Sequence, residues 1–376
     1  MKSSITHFKV GNGNCSLIET KDFVLVADLN KTEDADSAFE LLQPFFRKKD
    51  GVDCIDVLYI THGDKDHLLG FKEFKEKIDS GNLVIGSIWH QDFDRTLSED
   101  KKDLPDDYLA FQEEINRRKD IENPIFGEIE RALKAKDSDD EAFKGISHPD
   151  NIKVHVLSPF MEDDEDSGYN HNQLSLIINF EIDSRNFLYT GDSPGKYWQE
   201  RIVPDLLDIE DYSEWAKADV LEVGHHGSFD FFGEDRNSVR DSEDEPDNYT
   251  TLDRIYPSDL IISASSKFPT SGDSVGDEPP HYAAWKWYHK WFRNNHGVKK
   301  SEKHPNQFKY TADGNIRIEN NDNTWTWMLN WDHNEKGKEL LKERARKVSK
   351  SMQNGALIIG SEISVPRNPG YYGSEI

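Results

Sequence analysis

Four potential metal ligands, His62, Asp64, Asp66 and His67, fall within six residues directly after the apolar run Ile55 to Ile60. The run reads as a buried strand, and Leu68–Ile78 behind it as an amphipathic helix. The ligands therefore sit on the loop leaving the carboxyl end of a strand, where open α/β folds carry their sites. In an extended loop alternate side chains point the same way, so His62, Asp64 and Asp66 converge while His67 turns back as the helix starts. Two imidazoles and two carboxylates so close together suit a borderline-to-hard divalent cation, and two such ions rather than one. A polar loop that merely caps a helix is the competing reading; the ligand density favours metal.

The chain has 376 residues, enough for one large domain or two modest ones. Nine Trp and twenty Phe argue against disorder, although a mean hydropathy of −0.80 implies a very polar surface. Cys15 and Cys54 fall in predicted strands and read as buried thiols rather than a disulfide. No apolar stretch approaches the ~20 residues of a membrane span, and the polar start Met1-Lys2-Ser3-Ser4 is no secretory signal. A soluble cytoplasmic protein without membrane contact is expected. The formal charge of −26, from 72 acidic against 46 basic side chains, opposes broad binding of polyanions. It leaves room for a small anionic substrate at a metal centre, and solubility alone explains it equally well.

Along the chain, residues 5–10 and 15–27 read as strands around the turn Gly11-Asn12-Gly13-Asn14. Asp28 ends the second, placed either to orient the metal loop or to act as a turn residue. Ala35–Lys48 is expected to be helical, with a kink or break at Pro44. Leu83–Trp89 and Ile152–Leu157 read as strands. Between them, residues 92–145 form a charged segment expected to be a helical insertion, with helices near Tyr108–Arg118 and Ile125–Lys136. Two further strand ends repeat the strand-then-ligand pattern. One is Thr190-Gly191-Asp192, with Asp192 placed to bridge two cations; the other is His225-His226-Gly227-Ser228, where paired histidines after a buried strand favour ligation or proton transfer. The long acidic loop Phe229–Thr250 is expected to flank the site mouth. His281, opening the aromatic helix Tyr282–Phe292, either reaches an anionic substrate or caps and packs. Phe308–Thr311, Asn315–Glu319 and Thr324–Trp331 read as closing antiparallel strands, and Lys336–Met352 as a basic helix before an extended tail.

Together these residues resemble the metallo-β-lactamase superfamily, and within it the branch like the hydrolase domain of the DNA-uptake protein ComEC. That branch carries His-x-Asp-x-Asp-His, here His62 to His67, where many relatives have His-x-His-x-Asp-His. The likeness runs from Val10-Gly11-Asn12-Gly13 and Asp28, through Asn172-x-x-Ser175 and Thr190-Gly191-Asp192, to His225-His226-Gly227-Ser228, Pro280-His281 and Thr311–Ile316. It implies an α/β fold, an αββα sandwich over residues 1–335 with the 92–145 insertion, followed by a basic helix and tail over 336–376. It also implies a dinuclear site with zinc or manganese: His62 and Asp64 on one metal, Asp66 and His67 on the other, Asp192 bridging. His225 or His226 completes the second metal while the other moves protons, and His171 or Asn172 stands where relatives place a further histidine ligand.

The reaction this implies is phosphodiester hydrolysis by metal-activated water. Asp66 would orient or deprotonate that water, and one of His225, His226 or His281 would protonate the leaving group. The branch points to a nuclease; the acidity points to a short or small phosphodiester. Two alternatives stand beside it. One is hydrolysis of a small ester or amide, with Trp285, Trp287, Tyr288 and Trp291 lining a pocket; core packing explains that stripe more simply. The other is a partner-dependent component of a defence or regulatory complex, docking through 92–145 or 336–352.

Overall fold

The computed structural model describes residues 3–32, 35–91, 105–121, 128–161, 169–170, 172–265, 267–270, 278–297, 308–329 and 331. The expected basic helix at Lys336–Met352, His171, and residues 92–104 and 122–127 of the expected insertion lie outside them.

The first seven strands are β1 (Ser4–His7), β2 (Ser16–Glu19), β3 (Val24–Ala27), β4 (Arg47–Lys49), β5 (Val52–Tyr59), β6 (Leu83–His90) and β7 (Ile129–Ala132). The next six are β8 (Ile152–Ser158), β9 (Ile177–Ile182), β10 (Arg185–Tyr189), β11 (Val220–Glu222), β12 (Leu260–Ser263) and β13 (Phe308–Tyr310). The chain then returns with the hairpin β14 (Ile316–Asn321) and β15 (Thr324–Leu329). One sheet has nine strands in the order β15-β14-β1-β2-β3-β5-β6-β7, with β4 beside β5; the other has six, β13-β12-β11-β10-β9-β8.

The two sheets bury a shared core, including Val57, Tyr59, Trp89, Ile178, Phe180 and Tyr189. Helices α1 (Ala38–Leu42), α2 (Lys65–Leu68), α3 (Phe71–Asp79) and α4 (Asp106–Lys119) belong to the first half of the chain. Phe39, Phe71, Phe74 and Phe111 from these helices cover the outer face of the larger sheet. After α5 (Asp139–Ala142), the second half adds α6 (Gly195–Tyr197) running into a π-helical segment Trp198–Leu207, then α7 (Arg236–Asp241), α8 (Thr251–Ile255) and α9 (Tyr282–His296). Trp198, Leu252, Trp287 and Trp291 cover the smaller sheet. The molecule is the αββα sandwich that the motif resemblance implies. Of the aromatic stripe on α9, Trp287, Tyr288 and Trp291 are buried in the core, while Trp285 is half-buried and packs against it.

Four expectations change. Ile125–Lys136 does not continue as a helix: Ile129–Ala132 is strand β7, parallel to β6 with Ile129 opposite Ser87. The described part of 92–145 is therefore two helices, α4 and the short α5, with an edge strand that joins the main sheet, not an all-helical addition. Ile129-Glu130-Arg131-Ala132 puts one apolar and one charged residue on each face of a four-residue strand, a pattern too short to separate from a helix by period. The helix expected over Ala35–Lys48 stops at Leu42; Pro44 lies in a 3₁₀ turn and Arg47–Lys49 pairs with β5. The helix expected over Leu68–Ile78 is two pieces, broken at Gly70, whose φ is 90°. Phe308–Tyr310 joins β12 in parallel in the other sheet, so only β14 and β15 form the expected antiparallel pair.

This topology positions the site. Strands β3, β5 and β6 are mutually parallel in one sheet, and β10 to β12 in the other. Their carboxyl ends present Asp28, the His62–His67 loop, Asp192 and the His225-His226 turn. Among the described residues no helix is long and apolar enough to cross a membrane.

Candidate metal centre

Asp28, His62, His67, Asp192 and His226 are each at most 4% exposed, an arrangement that demands partners for every charge. The ligand atoms of Asp66, His67, Asp192 and His226 all lie within 4.8 Å of one another. Asp192 sits at the middle and turns its two oxygens to two different sets of side chains. Oδ1 lies 3.3 Å from His67 Nε2 and 3.9 Å from His226 Nε2. Oδ2 lies 3.6 Å from His62 Nε2 and 3.7 Å from His225 Nε2. Asp64 extends the second set, 3.6 Å from His62, and Asp66 extends the first, 3.1 Å from His226 and 4.0 Å from His67.

Beneath the ligands, Asp28 accepts hydrogen bonds from the Thr61 N–H (2.8 Å) and the Thr61 hydroxyl (2.9 Å), and meets His67 Nδ1 at 2.8 Å. With Nδ1 so engaged, His67 turns Nε2 toward Asp192, the tautomer a metal ligand needs. Thr61 Oγ1 also lies 3.0 Å from His62 Nδ1, so one hydroxyl braces both rings. Of the two roles open to Asp28 in the sequence, its contacts select the orienting one.

The backbone is bent to make this possible. Asp28, His225 and His226 have φ of 55°, 46° and 54°, left-handed values that side chains other than glycine seldom adopt. Three such residues at one place mark a site whose geometry the surrounding fold enforces. Gly191, with φ 53°, lets the end of β10 press against the metal loop: a Cβ there would lie 2.9 Å from Ser175 Cβ and 3.1 Å from Thr61 Cβ.

The electrostatics follow from burial and proximity. Burial alone would raise the Asp192 pKa, but His67, His226 and His62 together hold it well below the ordinary range. Burial likewise opposes charge on His67, yet the Asp192 and Asp28 carboxylates raise it well above its usual value. For Asp66 burial is outweighed by the hydrogen bond from His226, and its pKa falls. The His225 ring is pulled down by burial but raised to about 9 by its 2.7 Å hydrogen bond with Asp230 and by Asp192. So many imidazoles pressed on carboxylates, with His67 Nε2 and Asp192 Oδ1 buried and without a hydrogen bond of their own among the described residues, is a donor set that fits divalent cations.

His62, Asp64, Asp66, His67, Asp192, His225 and His226 are thus brought together. Of the His225-His226 pair, His226 joins the four-ligand group and His225 is held by Asp230. Asn172 lines a cleft beside Asp192 and His225. His281 lies behind the histidine turn: its N–H donates to the Gly227 carbonyl (3.0 Å), and its Nδ1 accepts from the Phe229 N–H (3.3 Å). It braces that turn and is not among the described residues lining the cleft. The sequence reading passed over Thr61 and Asp230. Thr61 directly precedes His62, where a hydroxyl is a recognisable bracing group; Asp230 lies five residues beyond His225, across a turn whose shape no local pattern announces.

No family model matches the chain. Over 202 residues it is 29% identical to ComE operon protein 3 of Bacillus subtilis (strain 168), a stretch covering 52% of this chain and 20% of that protein. The chain thus spans far less than two thirds of the relative it matches. Among solved structures it is similar to a mutant of the CmlA beta-hydroxylase, with TM-score 0.44 and 14% identity over 85% of this chain and 54% of that chain. It is also similar to the metallo-beta-lactamase fold protein YhfI from Bacillus subtilis, with TM-score 0.38 and 10% identity over 71% of this chain and 88% of that chain. A diphosphatase from the PhnP family gives TM-score 0.40 and 12% identity over 85% of this chain and 99% of that chain.

Proposed function

We propose that this protein is a metal-dependent hydrolase that cleaves a phosphodiester with the help of two divalent cations, zinc or manganese. The observation that carries the reading is Asp192, whose Oδ1 faces His67 and His226 while Oδ2 faces His62 and His225. In this reading Asp66, His67 and His226 hold one cation, His62 and Asp64 the other, and Asp192 is shared. Bound there, divalent cations would supply an acidified water, with a pKa brought down toward about 7, and positive charge for the phosphoryl oxygens.

The chain's own side chains divide the remaining work. Asp28 fixes the His67 ring through Nδ1, and Thr61 braces His62 and His67. Asp66, kept ionised by its lowered pKa and less buried than its neighbours, is the carboxylate placed to orient the attacking water. Asp230 holds the His225 ring through Nδ1 and raises its pKa, so Nε2 would give a proton to the departing oxygen.

The substrate is short or small rather than a long polymer. A cleft of about 700 Å³ opens beside Asp192 and His225, walled by Glu200, Asp230, Glu234, Asp247 and several amides, with Lys196 the one lysine among the described residues that line it. That lysine is already paired with Glu234 at 3.0 Å. A polymer of phosphates draws its affinity from many Lys and Arg contacts, whereas the described residues of this wall are mostly acidic or amide. The likeness of the His62–His67 motif to ComEC-type hydrolase domains favours nuclease chemistry, so short oligonucleotides belong in the test.

The test is a hydrolysis screen of the metal-loaded protein on a chromogenic phosphodiester, cyclic nucleotides, and DNA and RNA oligonucleotides, with Asp192→Ala alongside. Metal-stimulated phosphodiester cleavage lost in Asp192→Ala is the expected result. Cleavage of carboxylic esters or amides without any phosphodiesterase activity would replace this reading.

A further inference from the structure

Below the ligand loops, between the two sheets, lies a polar cluster with no role in the chemistry above. It consists of His7 on β1, Asn14, Ser16 on β2 and Glu222 on β11, at 2%, 5%, 2% and 4% exposure. Glu222 Oε2 lies 2.7 Å from His7 Nδ1, and Glu222 Oε1 accepts from Asn14 Nδ2 at 2.5 Å. Ser16 Oγ lies 2.9 Å from His7 Nδ1, and Tyr189 stacks on the His7 ring at 5.7 Å between centroids. A buried carboxylate and its partners stabilise no better than well-packed apolar side chains of the same volume. Their presence here calls for a task other than stability.

The connections supply one. The Asn14 N–H donates to the Asp66 carbonyl at 3.2 Å, and Asn30 Nδ2 donates to the same oxygen at 3.1 Å. Gly13 brings this backbone in: with φ 145°, a Cβ on it would lie 2.6 Å from the Asp66 carbonyl and 2.0 Å from Asn30 Nδ2. Glu222 is the last residue of β11, just ahead of the turn bearing His225 and His226. A continuous chain of contacts therefore runs from the strand that delivers His226, through Glu222 and Asn14, to the main chain of Asp66 on the other sheet. His226 Nε2 closes the circuit on Asp66 Oδ2 at 3.1 Å.

We propose that Glu222, Asn14 and His7 form a positioning cluster that ties the two sheets together under the site, holds Asp66 within reach of His226, and so sets the metal affinity of the Asp66–His67–Asp192–His226 group. The inference rests on the metal-site reading above. The cluster reaches Asp66 at its main chain. It acts through the main chain of Asp66 on one side and the strand leading to His226 on the other.

The experiment measures apparent Kd for Mn²⁺ and Zn²⁺ by competition titration of the full chain, alongside the Tm of the metal-free protein. Asn14→Ala and Glu222→Gln each weaken metal binding about 10–100-fold, the loss typical of residues that position metal ligands. The double variant Asn14→Asp with Glu222→Gln rebuilds the side-chain bond with donor and acceptor exchanged, and it recovers affinity to within a few-fold of wild type. Glu19→Gln breaks another buried carboxylate's contacts, with Arg317 and Ser4 at the far end of β2, and lowers Tm with metal affinity unchanged. Folded Asn14→Ala or Glu222→Gln with wild-type Kd would overturn the proposal. Should either fail to fold, a double variant that folds without regaining affinity overturns it equally. A wild-type protein that binds neither ion would instead refute the metal-site reading beneath it, an outcome distinguishable from the first two.

Discussion

Replacing Asp28 by Asn isolates the group that aims His67. Asn tolerates the left-handed backbone that Asp28 adopts at φ 55°, so the substitution adds little strain. The Thr61 N–H still finds an acceptor, at the oxygen equivalent to Oδ1. At the Oδ2 position, however, an NH₂ donor now faces His67 Nδ1, where a carboxylate oxygen lies at 2.8 Å in wild type. An amide donor favours the ring with its lone pair on Nδ1 and its proton on Nε2, and that tautomer presents no ligand to the Asp192 side. Hydrogen bonds to charged groups contribute roughly 1.5–3 kcal/mol, and part is regained by the reoriented ring. A net bias of about 1.4–2.7 kcal/mol corresponds to about a 10–100-fold rise in Kd for the ion. Titration of metal-free wild type and Asp28→Asn with Mn²⁺ reads this directly, with circular dichroism confirming that both are folded. Equal affinity, within twofold, in a folded Asp28→Asn protein would refute the claim that Asp28 sets the ring.

Other consequences can be measured. Gly191→Ala forces a Cβ into contact with Ser175 and Thr61 at a left-handed backbone position, so a loss of about 1–3 kcal/mol in urea unfolding and a fall in metal affinity are expected. Asp230→Asn removes the negative charge that favours protonated His225 and should lower kcat about 10²-fold with metal affinity nearly unchanged; a parallel loss of metal would make His225 a ligand instead. Glu114 is fully buried; burial raises its pKa, but Arg117 and Arg118 outweigh that and lower it. Its contribution is therefore complete above the unfolded-state value and is lost as pH falls through the folded one. Glu114→Gln should cost about 3–5 kcal/mol near pH 7, shrinking below about pH 4 in urea melts. For the substrate, log(kcat/KM) on a small phosphodiester should vary weakly with salt, whereas a steep negative slope would indicate an extended polyanion.

The parts of the site that sequence reveals are those each strand end carries by itself. The apolar run before His62, the glycine before Asp192 and the doubled histidine after Val223 each announce a strand that stops at a ligand. A buried parallel strand has a continuous apolar signature, so these patterns place each ligand at a strand end, while the layer architecture and the convergence of the ends come from the family resemblance that the motifs carry. What escapes is whatever depends on a neighbour distant in the chain. Glu222 meets Asn14 across 208 residues, and nothing around either predicts the meeting. Ile129–Ala132 is a strand because β6 offers an open edge, a tertiary demand that overrides local helical pattern. Phe308–Tyr310 pairs with β12 for the same kind of reason. His281 could be placed near the paired histidines by motif, yet only its bonds to Gly227 and Phe229 show that it props their turn.

The central claim is a pair of cations sharing Asp192. Its most direct test is elemental analysis of the reconstituted, desalted protein, wild type beside Asp192→Ala. The account predicts close to two zinc or manganese ions per wild-type chain and near-complete loss of both in the folded variant. A metal-free wild type, or a variant that retains its full complement, would contradict it.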